Sequence, residues 1–495
     1  MRASSAALAL ALALAAVGCG SGCDGERTRH VMQPHPPAAP SDGGVALATP
    51  APEDAELPHT AGYLDDPPGS LDQLFTGLAA AERARTDRAT PAPVADPAGR
   101  VLLLFFGDSH TAGDSMTSRL RAVWQARFGD AGRGLVAAGR PPTRHYYQRD
   151  VRYGTVGDWK ASVGGHHGDS EPFGISGIRV SGTRKGAQLW VETCGDCPTG
   201  GSVGQFEILY FAAPEHGTLR YRVDEGPWVD LATATTPIEP PHPARQVVPV
   251  ADGAHRLTLE HGGGGTIDLF GVALERLRPG VIVDSLGVVG RRLGSLRSWD
   301  WAIIGEQLAT RDPRLVVLQY GTNEADDPDL SLEDLAKYYD ETILRIRAAA
   351  PTASILILGP PDVGVREAGK SCDHMKPDAG AIPECEYRTP AVLGEIIAVE
   401  HAAALRNHVA FFDTFAAMGG ADQMAGWVNA EPKVAYKDHV HFTDIGYQRW
   451  ADALSGALLD HYARWRAEQH LPPTSGAPPP AAQPTEAPLP GPTGL

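Results

Sequence analysis

Four short stretches of this 495-residue chain are apolar at every position: VLLLFF from Val101, LVVL from Leu315, ILIL from Ile355 and VAFF from Val409. A strand with one face in water alternates apolar with polar residues. A strand without alternation has both faces covered. Each stretch is followed by a segment of helical periodicity. In SMTSRLRAVWQARFG, residues Met116, Leu120, Val123 and Phe128 fall on one side. LEDLAKYYDETILRIRAAA and RTPAVLGEIIAVEHAAALRNH follow the second and third stretches. GYQRWADALSGALLDHYARW follows the fourth, with Leu454, Leu458, Tyr462 and Trp465 as its stripe. The alternation predicts an α/β fold with a parallel sheet covered by helices on both sides.

Between these parts the pattern changes. AQLWVETC, QFEILYFA, TLRYRVD, GAHRLTLEH and TIDLFGVALER alternate apolar and polar residues and are separated by Gly and Pro turns. This predicts a β-sandwich or jelly roll over 177–277, inserted into the α/β domain. The α/β domain would then comprise 55–176 and 278–470. Residues 20–54 read as a flexible Pro/Ala/Gly-rich tether, and 471–495 as a disordered Pro-rich tail.

The first 19 residues carry ALALALALAAVGC after Arg2, too short to span a bilayer comfortably and typical of an export signal. AAVGC resembles a bacterial lipobox, with Cys19 as the lipidated residue. That places the protein in the cell envelope, anchored to a membrane rather than spanning it. The alternative is simple signal cleavage and secretion. In an oxidising compartment, Cys372 and Cys385 are expected to pair. The CGDC run, Cys194 to Cys197, is a tight disulfide or a redox pair. Both pairs are read as structural. A zinc ribbon would need a second C-x-x-C, which the chain lacks. The net charge of −17 excludes nucleic acid as a partner.

Four polar blocks abut the α/β elements: GDSH at Gly107–His110, DSLGVVGRR with Gly287 and Gly290, QYGTNE with Asn323, and YKDHVHFTDIGY with Asp438 and His441. Acyl transfer needs a nucleophile, a base, a group that orients the base, and oxyanion donors. Ser109 fits the nucleophile, His441 the base and Asp438 its orienter. The Ser109 amide, the Gly290 amide and the Asn323 side chain fit the oxyanion donors. Open α/β sheets place such sites beyond the carboxyl ends of their strands.

The blocks resemble those of the SGNH (GDSL-type) hydrolases, which contribute Ser, Gly, Asn and a D-x-x-H pair in this order. The resemblance covers about 100–165 and 280–465. It implies a flavodoxin-like three-layer α/β/α sheet and ester hydrolysis without a cofactor. His110 stands where the type motif has Leu. Val289 stands where a G-x-N-G version of the second block has Asn, so Gly287 rivals Gly290 as donor. The long spacing between Ser109 and Gly290 resembles that of the peptidoglycan O-acetylesterases of bacterial envelopes.

The resemblance thus implies an exported carbohydrate O-acetylesterase acting on an O-acetylated glycan. Three alternatives are an acyltransferase of the same fold, a lipase or lysophospholipase, and a non-catalytic glycan-binding lipoprotein. Two further readings fall behind. GGSVG around Ser202 matches a nucleophile elbow, but a strand-like segment follows where a helix is required. Asp438, His439 and His441 could ligate a metal, but no H-E-x-x-H helix accompanies them.

Overall fold

In the computed structural model, which describes residues 60–86, 99–142, 146–164, 172–366 and 387–471, all four apolar stretches become strands of one sheet. The chain enters through strand β1 (Leu64–Asp65), helix α1 (Asp72–Thr86) and β2 (Arg100–Gly107). Then come the short helix α2 (Ser109–Ala112), α3 (Ser115–Phe128) and β3 (Gly132–Val136). A run of antiparallel strands follows: β4 (Val151–Val156), β5 (Trp159–Val163), β6 (Ile178–Gly182), β7 (Gln188–Thr193) and β8 (Val203–Ala212). It continues through β9 (Thr218–Val223), β10 (Val229–Ala232), β11 (His242–Gly253), β12 (Arg256–Gly263) and β13 (Ile267–Glu275). The α/β pattern resumes with β14 (Gly280–Gly287), α4 (Trp301–Arg311), β15 (Leu315–Gln319), α5 (Leu332–Ala349) and β16 (Ser354–Leu358). A small hairpin, β17 (Val365–Arg366) with β18 (Tyr387–Arg388), precedes α6 (Ala391–Arg406) and β19 (Ala410–Phe412). Helices α7 (Thr414–Ala417), α8 (Gln423–Asn429) and α9 (Asp444–Glu468) complete the described chain. Cys19, the expected signal and tether, the Cys372–Cys385 pair and the tail beyond Leu471 lie outside the described residues.

The main sheet has the order β14-β2-β15-β16-β19, all parallel, with β1 antiparallel at the β19 edge. Counting its parallel strands by appearance, the order is 2-1-3-4-5, that of flavodoxin-like sheets. Uniform apolarity has the expected cause. Val101, Leu103 and Phe105 of β2 join one core with residues of α1, α3 and α9. Leu104 and Phe106 join another, with residues of α4, α5 and α6. β15 and β16 divide their side chains between the two cores in the same way. This is the three-layer α/β/α arrangement that the sequence predicts.

The inserted β layers begin earlier than expected. β3, β4 and β5, within the 55–176 segment assigned from sequence to the hydrolase domain, belong to the antiparallel sheets instead. Their sequences GRGLV, VRYGTV and WKASV are short and broken by Gly and charged residues, so their alternation is weak. One sheet runs β10-β9-β12-β7-β4. The other runs β11-β8-β13-β6-β5, with β3 added on β13.

The insertion does not own a separate core. Leu189, Leu257, Phe206 and Leu269 of the β layers belong to the same buried cluster as Phe106, Leu318 and Ile343 of the α/β layers. A buried ion network crosses the same boundary. Arg311 of α4 binds Glu275 of β13 at 2.7 Å and Asp284 of β14 at 2.6 Å, and Arg100 of β2 reaches Glu275 at 2.8 Å. Burial pushes the Glu275 carboxyl up, but Arg100 and Arg311 outweigh it and hold it at about 2. Stripping one partner from such a network costs about 3–5 kcal/mol. Excising 177–277 behind a short linker should therefore leave no folded protein. Far-UV and near-UV circular dichroism of the shortened chain test this. A cooperative melt near that of the full chain would show that the two parts fold independently.

Candidate active site

Strand register sets where the site can form. Gly107, the last residue of β2, is level with Gly287 of β14 on one side and Gln319 of β15 on the other. Three adjacent strands thus end together. Ser109, Gly290 and Asn323 all lie within a few residues of that common end. This is the crevice beyond the carboxyl ends of a parallel sheet.

At the end of β2, Asp108 caps α2. Its Oδ1 accepts from the His110 amide at 2.9 Å, and its carbonyl accepts from Ala112 N at 2.9 Å. The tight turn presents Ser109 at the first helical position. Its amide takes no hydrogen bond among the described residues, as expected at a helix start. From the loop before α9, His441 Nε2 reaches Ser109 Oγ at 2.8 Å, and His441 Nδ1 reaches Asp438 Oδ2 at 2.8 Å. Asp438 Oδ1 accepts the Val440 and His441 amides, each at 3.0 Å. Partial burial pushes Asp438 up. The His441 ring and the two amides overcome this and hold it at about 2. An anionic Asp438 accepts from Nδ1–H, which leaves Nε2 to accept the Ser109 hydroxyl proton.

The oxyanion candidates differ in fit. Gly287 closes the β14 ladder. A Cβ there would stand 2.1 Å from Ala112 N and 2.6 Å from the Asp108 carbonyl. It is the close approach that lets α2 pack on the sheet. Gly290 lies in an exposed turn with φ of 71°, and a Cβ there would meet nothing within 4 Å. Its amide takes no partner among the described residues, which leaves it able to donate. The Asn323 side chain donates to the Arg291 carbonyl at 3.0 Å and lies 3.4 Å from Asp108 Oδ2.

Loops after β14 and β15 are stapled to each other. Arg292 Nε donates to the Asn323 carbonyl at 3.0 Å. Buried Glu324 accepts the Leu293 amide at 2.7 Å and the Gly321 amide at 2.9 Å. Glu324 and Asp108 escaped the reading of the sequence, although both stand beside predicted site residues in GTNE and GDSH. A charge next to the end of a fully apolar strand was the available signal. Burial, opposed by the His110 amide and reinforced by the Glu324 charge, pushes the Asp108 carboxyl up to about 7.

The remaining predicted residues take structural places. His110 is fully buried. Its Nδ1 lies 3.0 Å from the Tyr447 hydroxyl, and its ring packs among His441, Phe442 and Trp450. His439 does not converge with Asp438 and His441. Its ring stacks on Tyr387 at 3.4 Å, its Nδ1 lies 2.9 Å from the Lys437 carbonyl, and its own carbonyl accepts from Gly364. Cys194 and Cys197 form a disulfide in the loop after β7. Ser202 directly precedes strand β8, without the helix that an elbow requires. Among the described residues, no helix is long and apolar enough to cross a membrane.

Residues 251–449 match the GDSL-like Lipase/Acylhydrolase family, a span that contains Gly290, Asn323, Asp438 and His441 but not Ser109. A solved structure described as a peptidoglycan O-acetylesterase in action shares 25% identity with the chain. It covers 81% of this chain and 100% of its own, with a TM-score of 0.62. An acetyl xylan esterase, AlAXEase, shares 18% identity over 36% of this chain and 80% of its own, with a TM-score of 0.25. A family two carbohydrate esterase from Cellvibrio japonicus shares 10% identity over 64% and 98%, with a TM-score of 0.23. No curated protein matches the chain. The sheet order, the family match over 251–449 and the peptidoglycan O-acetylesterase likeness together support the SGNH (GDSL-type) hydrolase superfamily for this chain.

The two glycines should respond differently to a methyl group. Gly287→Ala drives Cβ into the backbone of α2, and a displaced reactive group costs on the order of 100-fold in turnover. Gly290→Ala keeps the amide and strains the turn by about 1–2 kcal/mol, with a smaller loss. Turnover of a small activated acetate ester and the melting temperature of each variant check this. Equal effects would mean that Gly287 does not seat α2.

Proposed function

We propose that this protein is an exported serine esterase that removes O-acetyl groups from peptidoglycan or a related envelope glycan. The observation that carries the reading is the continuous chain Ser109 Oγ, His441 Nε2, His441 Nδ1, Asp438 Oδ2, with 2.8 Å at each hydrogen bond. The likeness to a peptidoglycan O-acetylesterase over its whole length supports the substrate class. The export-like N-terminal sequence, with its lipobox-like AAVGC ending at Cys19, supports export to the compartment that holds such glycans.

In this reading Ser109 Oγ attacks the acetyl carbonyl carbon while His441 Nε2 takes the hydroxyl proton. The carbonyl oxygen gains the negative charge and is met by the Ser109 and Gly290 amides and Asn323 Nδ2. Collapse breaks the bond to the sugar oxygen, which receives the proton from His441, and leaves acetyl-Ser109. Water then attacks, gives a proton to His441, and acetate departs as Ser109 regains its hydrogen. Asp438 stabilises the imidazolium in both halves.

Ser109→Ala should abolish acetate release from O-acetylated peptidoglycan without changing the melting temperature. Near-wild-type release from the variant would overturn the reading. Acetate appearing on an acceptor glycan rather than in water would instead make it a transferase.

The pH dependence gives a second test. Asp438 is held at about 2, so inactivation at milder acidity is not its protonation. Asp438→Asn removes the anion that fixes the His441 tautomer and faces the imidazolium, so turnover should fall by up to roughly 10⁴-fold across the neutral range. Near-wild-type turnover of this variant would contradict the pairing.

A further inference from the structure

Large apolar or aromatic side chains lie exposed at nine places among the described residues, and only Tyr147 (56% exposed) and Tyr436 (48%) are aromatic. Both hang directly on the reactive elements. The Tyr147 amide donates to the Ala112 carbonyl at 3.1 Å, on the helix that Ser109 begins. The Tyr436 amide donates to the His441 carbonyl at 2.8 Å. One tyrosine is thus tied to the nucleophile's element and the other to the base itself. Partial burial, Asp444 and Tyr147 push the Tyr436 hydroxyl up while Arg149 opposes them, so Tyr147, Arg149 and Asp444 all lie near Tyr436.

The supports of Tyr147 are stiff. The Arg149 amide donates to Asp114 at 2.8 Å, and the Arg149 carbonyl accepts from buried Arg133 at 3.0 Å. The Arg149 guanidinium binds Asp444 of α9 at 2.7 Å, and Ser115 of α3 donates to the same carboxylate at 3.1 Å. The Tyr436 segment is fixed by the Ala435–Phe442 bridge and by the Thr443 amide on Val434. A ring held on a fixed backbone loses little freedom when a ligand stacks on it, so such a mount favours stacking. The faces of pyranose rings are sheets of C–H bonds, which pack on aromatic faces. The hydroxyls at the ring rim remain free for water.

We propose that Tyr147 and Tyr436 are the sugar-stacking residues of this site, holding the pyranose that bears the acetyl group, or its neighbour, over Ser109. The inference rests on the glycan-esterase reading and adds which residues select a saccharide over a small ester. The readout is the ratio of kcat/KM for O-acetylated peptidoglycan to kcat/KM for 4-nitrophenyl acetate. Tyr147→Ala and Tyr436→Ala should each lower this ratio about tenfold, the effect of one lost stacking contact. Tyr147→Phe and Tyr436→Phe should keep it, because stacking needs the ring and not the hydroxyl. A wild-type protein that cleaves the small ester but no glycan defeats the functional reading itself. Active wild type with an unchanged ratio in both Ala variants defeats the stacking inference alone. A ratio lost equally in the Phe variants also defeats it, by assigning the effect to the hydroxyls.

Discussion

Parallel pairing of β2 with β14 and β15 is the constraint from which the rest of the site follows. Because Gly107, Gly287 and Gln319 are level, three loops leave the sheet at one height. A slip of one residue would turn the side chains of β2 to opposite cores. Both faces of β2 are buried, so the register is fixed by packing on two sides. The loops then need only short reaches. Arg292 donates to the Asn323 carbonyl, the Asn323 side chain donates to the Arg291 carbonyl, and Glu324 holds an amide from each loop. What binds the fold together and what positions the site are largely the same contacts.

The carboxyl groups around Ser109 illustrate how burial and hydrogen bonding divide their tasks. Asp438 is partly open and bonded to the His441 ring and two amides, and is held at about 2. Asp108 is fully buried near Glu324, and is pushed up to about 7. Glu324 and Glu400 are raised by burial as well, and Glu400 accepts the Tyr339 hydroxyl at 2.8 Å. Opposite shifts on neighbouring carboxyls separate their roles. Asp438 is the one fitted to face an imidazolium. Asp108 serves as a cap in the α2 turn.

Much of this was legible in the sequence, for reasons that particular residues make plain. VLLLFF announced a two-sided strand because no polar residue interrupts it, and Ser109, Asn323, Asp438 and His441 stood at element ends where side chains converge. Their mutual approach needed the structure, since Ser109 and His441 are 332 positions apart. The close approach of Gly287 to α2, against the open turn at Gly290, is a backbone contact that no pattern encodes. The start of the β insertion was hidden because GRGLV and VRYGTV owe their strand state to strands that do not neighbour them in the chain, β13 and β7. The shared core was hidden for the same reason: alternation shows that a face is covered, not what covers it.

The central claim is that Ser109 is the one nucleophile that His441 activates. Its most direct test is covalent labelling of the whole chain with an aryl sulfonyl fluoride, followed by peptide mapping with mass spectrometry. A single adduct on Ser109 is expected, and none on a His441→Ala protein. Labelling of Ser202, or labelling of Ser109 at an equal rate without His441, would contradict it.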